Sequence, residues 1–306
     1  METSQRVPYD EFSMFHENAA EFGLPYESAP RVRRQFTDLG DGRQLSSLVW
    51  GDSDPELVFL HGGAQNAHTW DTVALALRRS LVAIDLPGHG HSDGGRHGSL
   101  DVGETAQDVA AVIRTLAPRA RAVIGMSLGG LTTLALADAF PNLVRSIVLV
   151  DITPGVTAEK SEAITAFVQG PDSFASFDDI LARTIEHNPT RTVSSLRRGI
   201  LHNAEQRDDG SWVWRYARHR GLERPPGAGP PDYSNLWEVA SRVRVPLLLV
   251  RGMRTQSVVD DEDEAELLRR CPTARVERIE DAGHSVQGDT PVELARLIDD
   301  FAASRR

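Results

Sequence analysis

Five short apolar runs, each stopped by a turn-forming cluster, constrain this chain more than any other feature. They lie at 57–60, 81–84, 122–124, 147–150 and 247–250, and are followed by HGG, DLPGHG, GMS, DITPG and RGM. Runs of three or four apolar residues with no polar alternation suit strands buried on both faces, as in parallel sheets. Longer amphipathic stretches separate them, with helices expected at 104–116, 128–139, 260–270 and 291–303. This is the pattern of an α/β chain with a mostly parallel central sheet flanked by helices. In such sheets ligands bind outside the carboxyl ends of the strands, where the polar clusters fall.

The pattern breaks between about Pro154 and Ala240. Strands disappear, helical periodicity becomes irregular, and Pro and Gly gather in RPPGAGPPD at 224–232. We therefore expect a core built from 1–153 and 241–306, with 154–240 inserted as a helical cap before the penultimate core strand. Trp212, Trp214 and Trp237 fall in this insertion. They either pack it together or line an apolar substrate pocket.

Charge and composition exclude several partners. The formal net charge is −11, and Lys160 is the single lysine. An acidic chain with dispersed arginines argues against nucleic acid or an anionic membrane as partner. One cysteine, Cys271, permits no intrachain disulfide. No window reaches the roughly 18 consecutive apolar residues of a membrane span. The first residues lack the apolar core of a signal peptide. A cytoplasmic monomer or homodimer is the expectation.

The chemistry is carried by Gly125-Met126-Ser127-Leu128-Gly129-Gly130, between an apolar run and a helix of small apolar residues. A G-x-S-x-G turn between strand and helix strains the serine backbone, lifts its hydroxyl clear and leaves no room for side chains at the glycines. Ser127 is therefore the candidate nucleophile rather than a simple helix cap. A serine hydroxyl needs an adjacent imidazole to take its proton. Of ten histidines, His284 in EDAGHS sits late in the chain, between the last strand and the last helix. In His61-Gly62-Gly63-Ala64, glycines let the backbone approach a reacting carbonyl. The amides of Gly63 and Leu128 are the expected oxyanion hole, with His61 holding the loop. His89 and His91 lie in a tight loop without other ligands nearby in sequence, so no metal is expected. His187, His202 and His219 are read as solvated or packing residues of the insertion.

The segments HGGAQNAHTW, DLPGHGHSD, GMSLGG and DAGHS, in that order, resemble the α/β-hydrolase superfamily over roughly residues 30–152 and 240–306. Most members take the catalytic acid from the loop after the strand that here reads PLLLVRG. That loop, 253–259, holds no carboxylate. A branch similar to small bacterial carboxylesterases and mitochondrial abhydrolases takes it from the end of the preceding core strand. The resemblance thus implies that Asp151, 24 positions after Ser127, orients His284. Asp260 and Asp261 remain alternatives. The expected reaction is hydrolysis of a small or medium apolar ester or lactone through an acyl-enzyme, with no cofactor. Carbon–carbon bond hydrolysis of a dienoic keto acid and cofactor-free perhydrolysis are alternatives on the same constellation. A ligand-sensing receptor is one of another class.

Overall fold

The computed structural model describes residues 6–96, 101–188, 191–216 and 232–303. His219 and all but the last residue of the 224–232 segment lie outside the described residues. The chain begins with a short helix, α1 (Phe15–Glu21), and an antiparallel pair, β1 (Val32–Asp38) and β2 (Gln44–Trp50). Then come β3 (Leu57–Leu60), α2 (Asp71–Leu77), β4 (Leu81–Ile84), α3 (Val102–Leu116), β5 (Ala122–Met126), α4 (Leu128–Ala139) and β6 (Ile147–Val150). An inserted segment carries α5 (Glu162–Val168), α6 (Phe177–His187), α7 (Val193–Asn203), β7 (Ala204–Gln206), β8 (Trp212–Trp214) and α8 (Leu236–Arg242). The chain closes with β9 (Leu247–Gly252), α9 (Asp261–Arg270), β10 (Arg275–Ile279), α10 (Val286–Asp289) and α11 (Pro291–Ala303).

The main sheet runs β1-β2-β4-β3-β5-β6-β9-β10. It is parallel from β4 to β10, and β2 alone runs against the rest. This is the α/β-hydrolase fold. Because successive side chains on a strand point to opposite faces, each apolar run serves two cores. Val58, Leu60, Ile147 and Leu149 join one, covered by α3, α4, α8 and α9. Leu57, Phe59, Val148 and Val150 join the other, under α1, α2 and α11. This double demand explains why the runs lack polar alternation.

The β1–β2 pair escapes a search for apolar runs for a physical reason. β1 has only one fully buried residue, Thr37, and Phe36 is exposed. In β2 the run is broken by Ser46 and Ser47, both buried; Ser46 N–H donates to Ser92 Oγ at 2.8 Å.

The inserted segment is not purely helical. β7 and β8 form an antiparallel hairpin, extended by a bridge between Phe174 and Trp212. The turn is closed by Asp209, which accepts from Ser211 N–H, with Gly210 at φ 87°. Around the hairpin Phe174, Ile180, Ile200, Trp212, Trp214 and Tyr216 form a third small core. α8 sits apart from that core and packs against α4 and α9 on the sheet.

Candidate active site

Ser127 follows β5 directly and has φ 51°, ψ −120°, a conformation that a side-chain-bearing residue rarely adopts. The glycines around it are required sterically. A Cβ on Gly125 would overlap the carbonyl of Gly129, and one on Gly129 would overlap the carbonyl of Leu60 at the end of β3. The turn therefore closes on itself and on the neighbouring strand. Leu128 is the first residue of α4, and the first N–H groups of a helix have no acceptor inside it. The HGG loop lies alongside: a Cβ on Gly62 would come 3.2 Å from Ser127 Cβ, while Gly63 faces open space. So the amides of Gly63 and Leu128 belong to two segments that meet at Ser127.

His61 is buried and holds that loop. Its Nε2 accepts from Leu86 N–H at 2.9 Å, so Nδ1 carries the proton and donates to Gly62 O at 2.7 Å. Burial pushes its pKa down, against the pull of Asp85. His89 acts similarly, its Nε2 accepting from Ala64 N–H at 3.2 Å. Asp85 ties the tips of β3 and β4 together. Its carboxylate accepts from Ala67 N–H at 2.8 Å, His91 N–H at 3.1 Å and Arg34 at 2.8 Å. Burial alone would raise its pKa, yet Arg34, His61 and these amides hold it below the ordinary carboxylate value. Burial, and then Arg34, also push His91 down to about 4.

Asp151 ends β6, the strand beside β5, and is fully buried with φ 47°. Four donors fill its carboxylate. Oδ1 accepts from Gly252 N–H at 2.9 Å and Ser257 Oγ at 2.6 Å. Oδ2 accepts from Val258 N–H at 3.1 Å and His284 Nδ1 at 2.9 Å. The loop after β9, where a carboxylate is wanted and missing, thus supplies donors to a carboxylate on the neighbouring strand. Asp260 and Asp261 are engaged elsewhere. Asp260 caps α9 and pairs with Lys160 at 2.7 Å; Asp261 is exposed and pairs with Arg251. With Nδ1 donating to Asp151, His284 keeps Nε2 as its basic nitrogen. No direct hydrogen bond joins Ser127 Oγ to His284 among the described residues; without substrate this contact is commonly long.

Between the HGG loop and the loop carrying His284 lies a cavity, walled by Ala64, Gln65, Ser285, Gln287 and α7. Trp214 is the one sequence-predicted tryptophan on its wall. Trp212 packs edge-on against Phe177 at 5.1 Å, and Trp237, on α8, lies under the Arg270 guanidinium of α9. The wall is mixed: Phe22, Phe167, Leu196, Ile200 and Trp214 share it with Asn18, Asn66, Thr69, Asn188, Ser195 and Asn203. Two of these join the inserted segment to the HGG loop. Asn203 donates to Ala64 O at 2.7 Å, and Asn66 donates to His202 O at 2.9 Å.

The same wall holds a buried ionisable network that sequence reasoning missed. His68 donates from Nδ1 to Asp71 at 2.8 Å and from Nε2 to Glu11 at 3.0 Å. Burial opposes the charge, but the two carboxylates prevail and raise its pKa to about 9. Glu11, despite burial, is lowered to about 2 by His68 and Arg34. His202 is neither solvated nor merely packing. Its ring stacks on that of His68 at 3.7 Å and 12°, and Tyr9 Oη meets its Nδ1 at 2.9 Å. Burial, then the charge on His68, keeps it neutral. Ligand atoms of His68, Asp71 and His202 lie within 4.8 Å of one another. A metal sits near the plane of each imidazole it binds, and stacked rings cannot both point at one ion. The arrangement stores a proton rather than a cation.

The α/β hydrolase fold family model matches residues 55–291, and the chain belongs to that family. Among curated proteins it is 42% identical over 299 residues to Esterase Rv0045c of Mycobacterium tuberculosis, covering 94% of each chain. The crystal structure of that esterase superposes with a TM-score of 0.83, covering 98% of this chain and 100% of that one. The chain is also 28% identical over 268 residues to 2-(acetamidomethylene)succinate hydrolase of Mesorhizobium japonicum, covering 85% of this chain and 92% of the relative. Among the described residues no helix is long and apolar enough to cross a membrane.

Proposed function

We propose that the chain is a carboxylic ester hydrolase acting through Ser127, His284 and Asp151. The observation that carries this is the 2.9 Å bond from His284 Nδ1 to a fully buried Asp151, one strand over from the strained Ser127. Esterase activity in a relative 42% identical over nearly the whole chain supports the reaction class.

In this reading Ser127 Oγ attacks the ester carbonyl while His284 Nε2 takes its proton. The amides of Gly63 and Leu128, with the N-terminus of α4 behind them, receive the charge that develops on the carbonyl oxygen. His284 returns the proton to the departing alcohol. It then deprotonates the water that releases the acid and restores Ser127. Asp151 fixes the imidazole tautomer and compensates the imidazolium. Its other acceptor sites are filled by rigid backbone and Ser257, so it can turn in no other direction. The described residues between 154 and 240 serve as a cap over the site, and His202, Asn203 and Asn66 anchor it to the oxyanion loop.

Burst kinetics with 4-nitrophenyl butyrate test the proposal. An initial stoichiometric release of nitrophenol, absent in Ser127→Ala, is the expected result. No turnover of any simple ester by the wild type would refute it.

A further inference from the structure

Two arginines of the inserted segment line the cavity, and their surroundings differ. Arg198 is buried and paired, meeting Glu17 at 3.5 Å and Glu21 more closely still. Arg191 has no carboxylate within ion-pair distance among the described residues. Among the described residues its one side-chain hydrogen bond is Nη2 to Ser195 Oγ at 2.5 Å. The nearest acids are committed: Glu21 to Arg198 and Thr192, Asp289 to Gly283 N–H. Burial pushes the Arg191 pKa down, only partly offset by Asp289 and Glu21, as for a charge short of compensation. An arginine stays charged regardless.

Its position is constrained by the base loop. A Cβ on Gly288 would overlap Arg191 Nη1, so glycine there makes room for the guanidinium. Gly288 lies four positions after His284. The insertion thus brings a planar cation, with no ion-pair partner among the described residues, against the segment that carries the proposed base, on a wall where amides and hydroxyls alternate with Phe22, Leu196 and Ile200. A guanidinium offers paired N–H groups that match a carboxylate.

We propose that Arg191 receives a carboxylate carried by the substrate at the end remote from the scissile bond. The favoured substrates are therefore esters bearing a second, free carboxylate, such as half-esters of dicarboxylic acids. This rests on the reading of Ser127 as an ester-cleaving nucleophile, and it replaces the apolar substrate expected from sequence.

The test compares mono-4-nitrophenyl adipate with 4-nitrophenyl hexanoate, which has the same acyl length. We expect kcat/KM to favour the adipate half-ester in the wild type. That ratio should fall on the order of ten- to a hundredfold in Arg191→Gln and less in Arg191→Lys, mainly through KM. A wild-type measurement guards against misfolding of the variants: adipate should inhibit hexanoate-ester turnover competitively, and 1,6-hexanediol should not. Calorimetry of adipate with Ser127→Ala reads the site without catalysis. Adipate binding with hydrolysis of neither ester would defeat the ester-hydrolase reading and leave the carboxylate site standing. Hydrolysis of both esters with a ratio unmoved by Arg191→Gln, or equal inhibition by adipate and hexanediol, would overturn the carboxylate site alone.

Discussion

Two buried aspartate–histidine hydrogen bonds among the described residues have nearly equal length, and their surroundings differ. Asp151 meets His284 at 2.9 Å, and Asp71 meets His68 at 2.8 Å. In the first, the carboxylate is saturated by donors from the loop after β9, and the imidazole is held through one nitrogen only. In the second, one carboxylate oxygen of Asp71 is buried without a partner, and the imidazole is held through both nitrogens. His68 therefore carries its proton up to about pH 9 and has no lone pair to offer. A short Asp–His bond does not define a catalytic base. A ring held through one nitrogen, as His284 is among the described residues, keeps the other for a nucleophile's proton.

The contrast between the pairs is probed most forcefully at the nucleophile. Ser127→Ala should lower kcat by a factor on the order of 10⁴ to 10⁶, read by steady-state kinetics on 4-nitrophenyl butyrate. His68→Gln should leave a measurable rate, since His68 is not in the proposed reaction, and should act on stability instead. The raised pKa of His68 sets the direction of that effect. The charged His68 stabilises the fold fully below its unfolded value near 6.5. That contribution fades as pH rises through about 9. The gap is worth at most about 3 kcal/mol. Chemical denaturation should thus show the wild type losing stability between pH 6.5 and 9, and His68→Gln losing much less. A parallel loss in both would contradict the assignment of charge. The smallest effect is expected where the inserted segment meets the HGG loop. Asn203→Ala removes the bond to Ala64 O and should cost about 1 kcal/mol. Because that carbonyl belongs to the proposed oxyanion loop, kcat should fall severalfold with it. An unchanged kcat would mean the insertion does not brace the loop.

The two pairs also differ in how far they can be read from sequence. Ser127 and Asp151 occupy strand tips, each announced by an apolar run meeting a turn cluster, and His284 lies in the loop between β10 and α10. The loop at 253–259 lacks a carboxylate, and that absence points to β6. The Glu11–His68–Asp71–His202 network draws on a segment before α1, the start of α2 and the end of α7, which no local pattern links. Its members look like ordinary polar residues until tertiary packing buries them. The hairpin is legible in part: Asp209-Gly210 ahead of Trp-Val-Trp is a turn signal flanked by strand formers. Its strands are only three residues each, too short for periodicity to register. The aromatics mislead for a related reason. Trp212 and Trp214 mark an apolar cluster, but that cluster is the insertion's own core, and only Trp214 also reaches the wall of the cavity.

If the proposed mechanism holds, Asp151, and no other carboxylate, orients the base. The most direct test is pre-steady-state acylation by 4-nitrophenyl butyrate in Asp151→Asn, Asp71→Asn and Asp260→Asn, compared with the wild type. We predict a loss on the order of 10⁴ in Asp151→Asn, where an amide N–H donating to His284 Nδ1 holds the wrong imidazole tautomer and no charge compensates the imidazolium, and losses below about tenfold in the other two. Acylation near the wild-type rate in Asp151→Asn, or a comparable collapse in Asp71→Asn or Asp260→Asn with the fold intact, would contradict it.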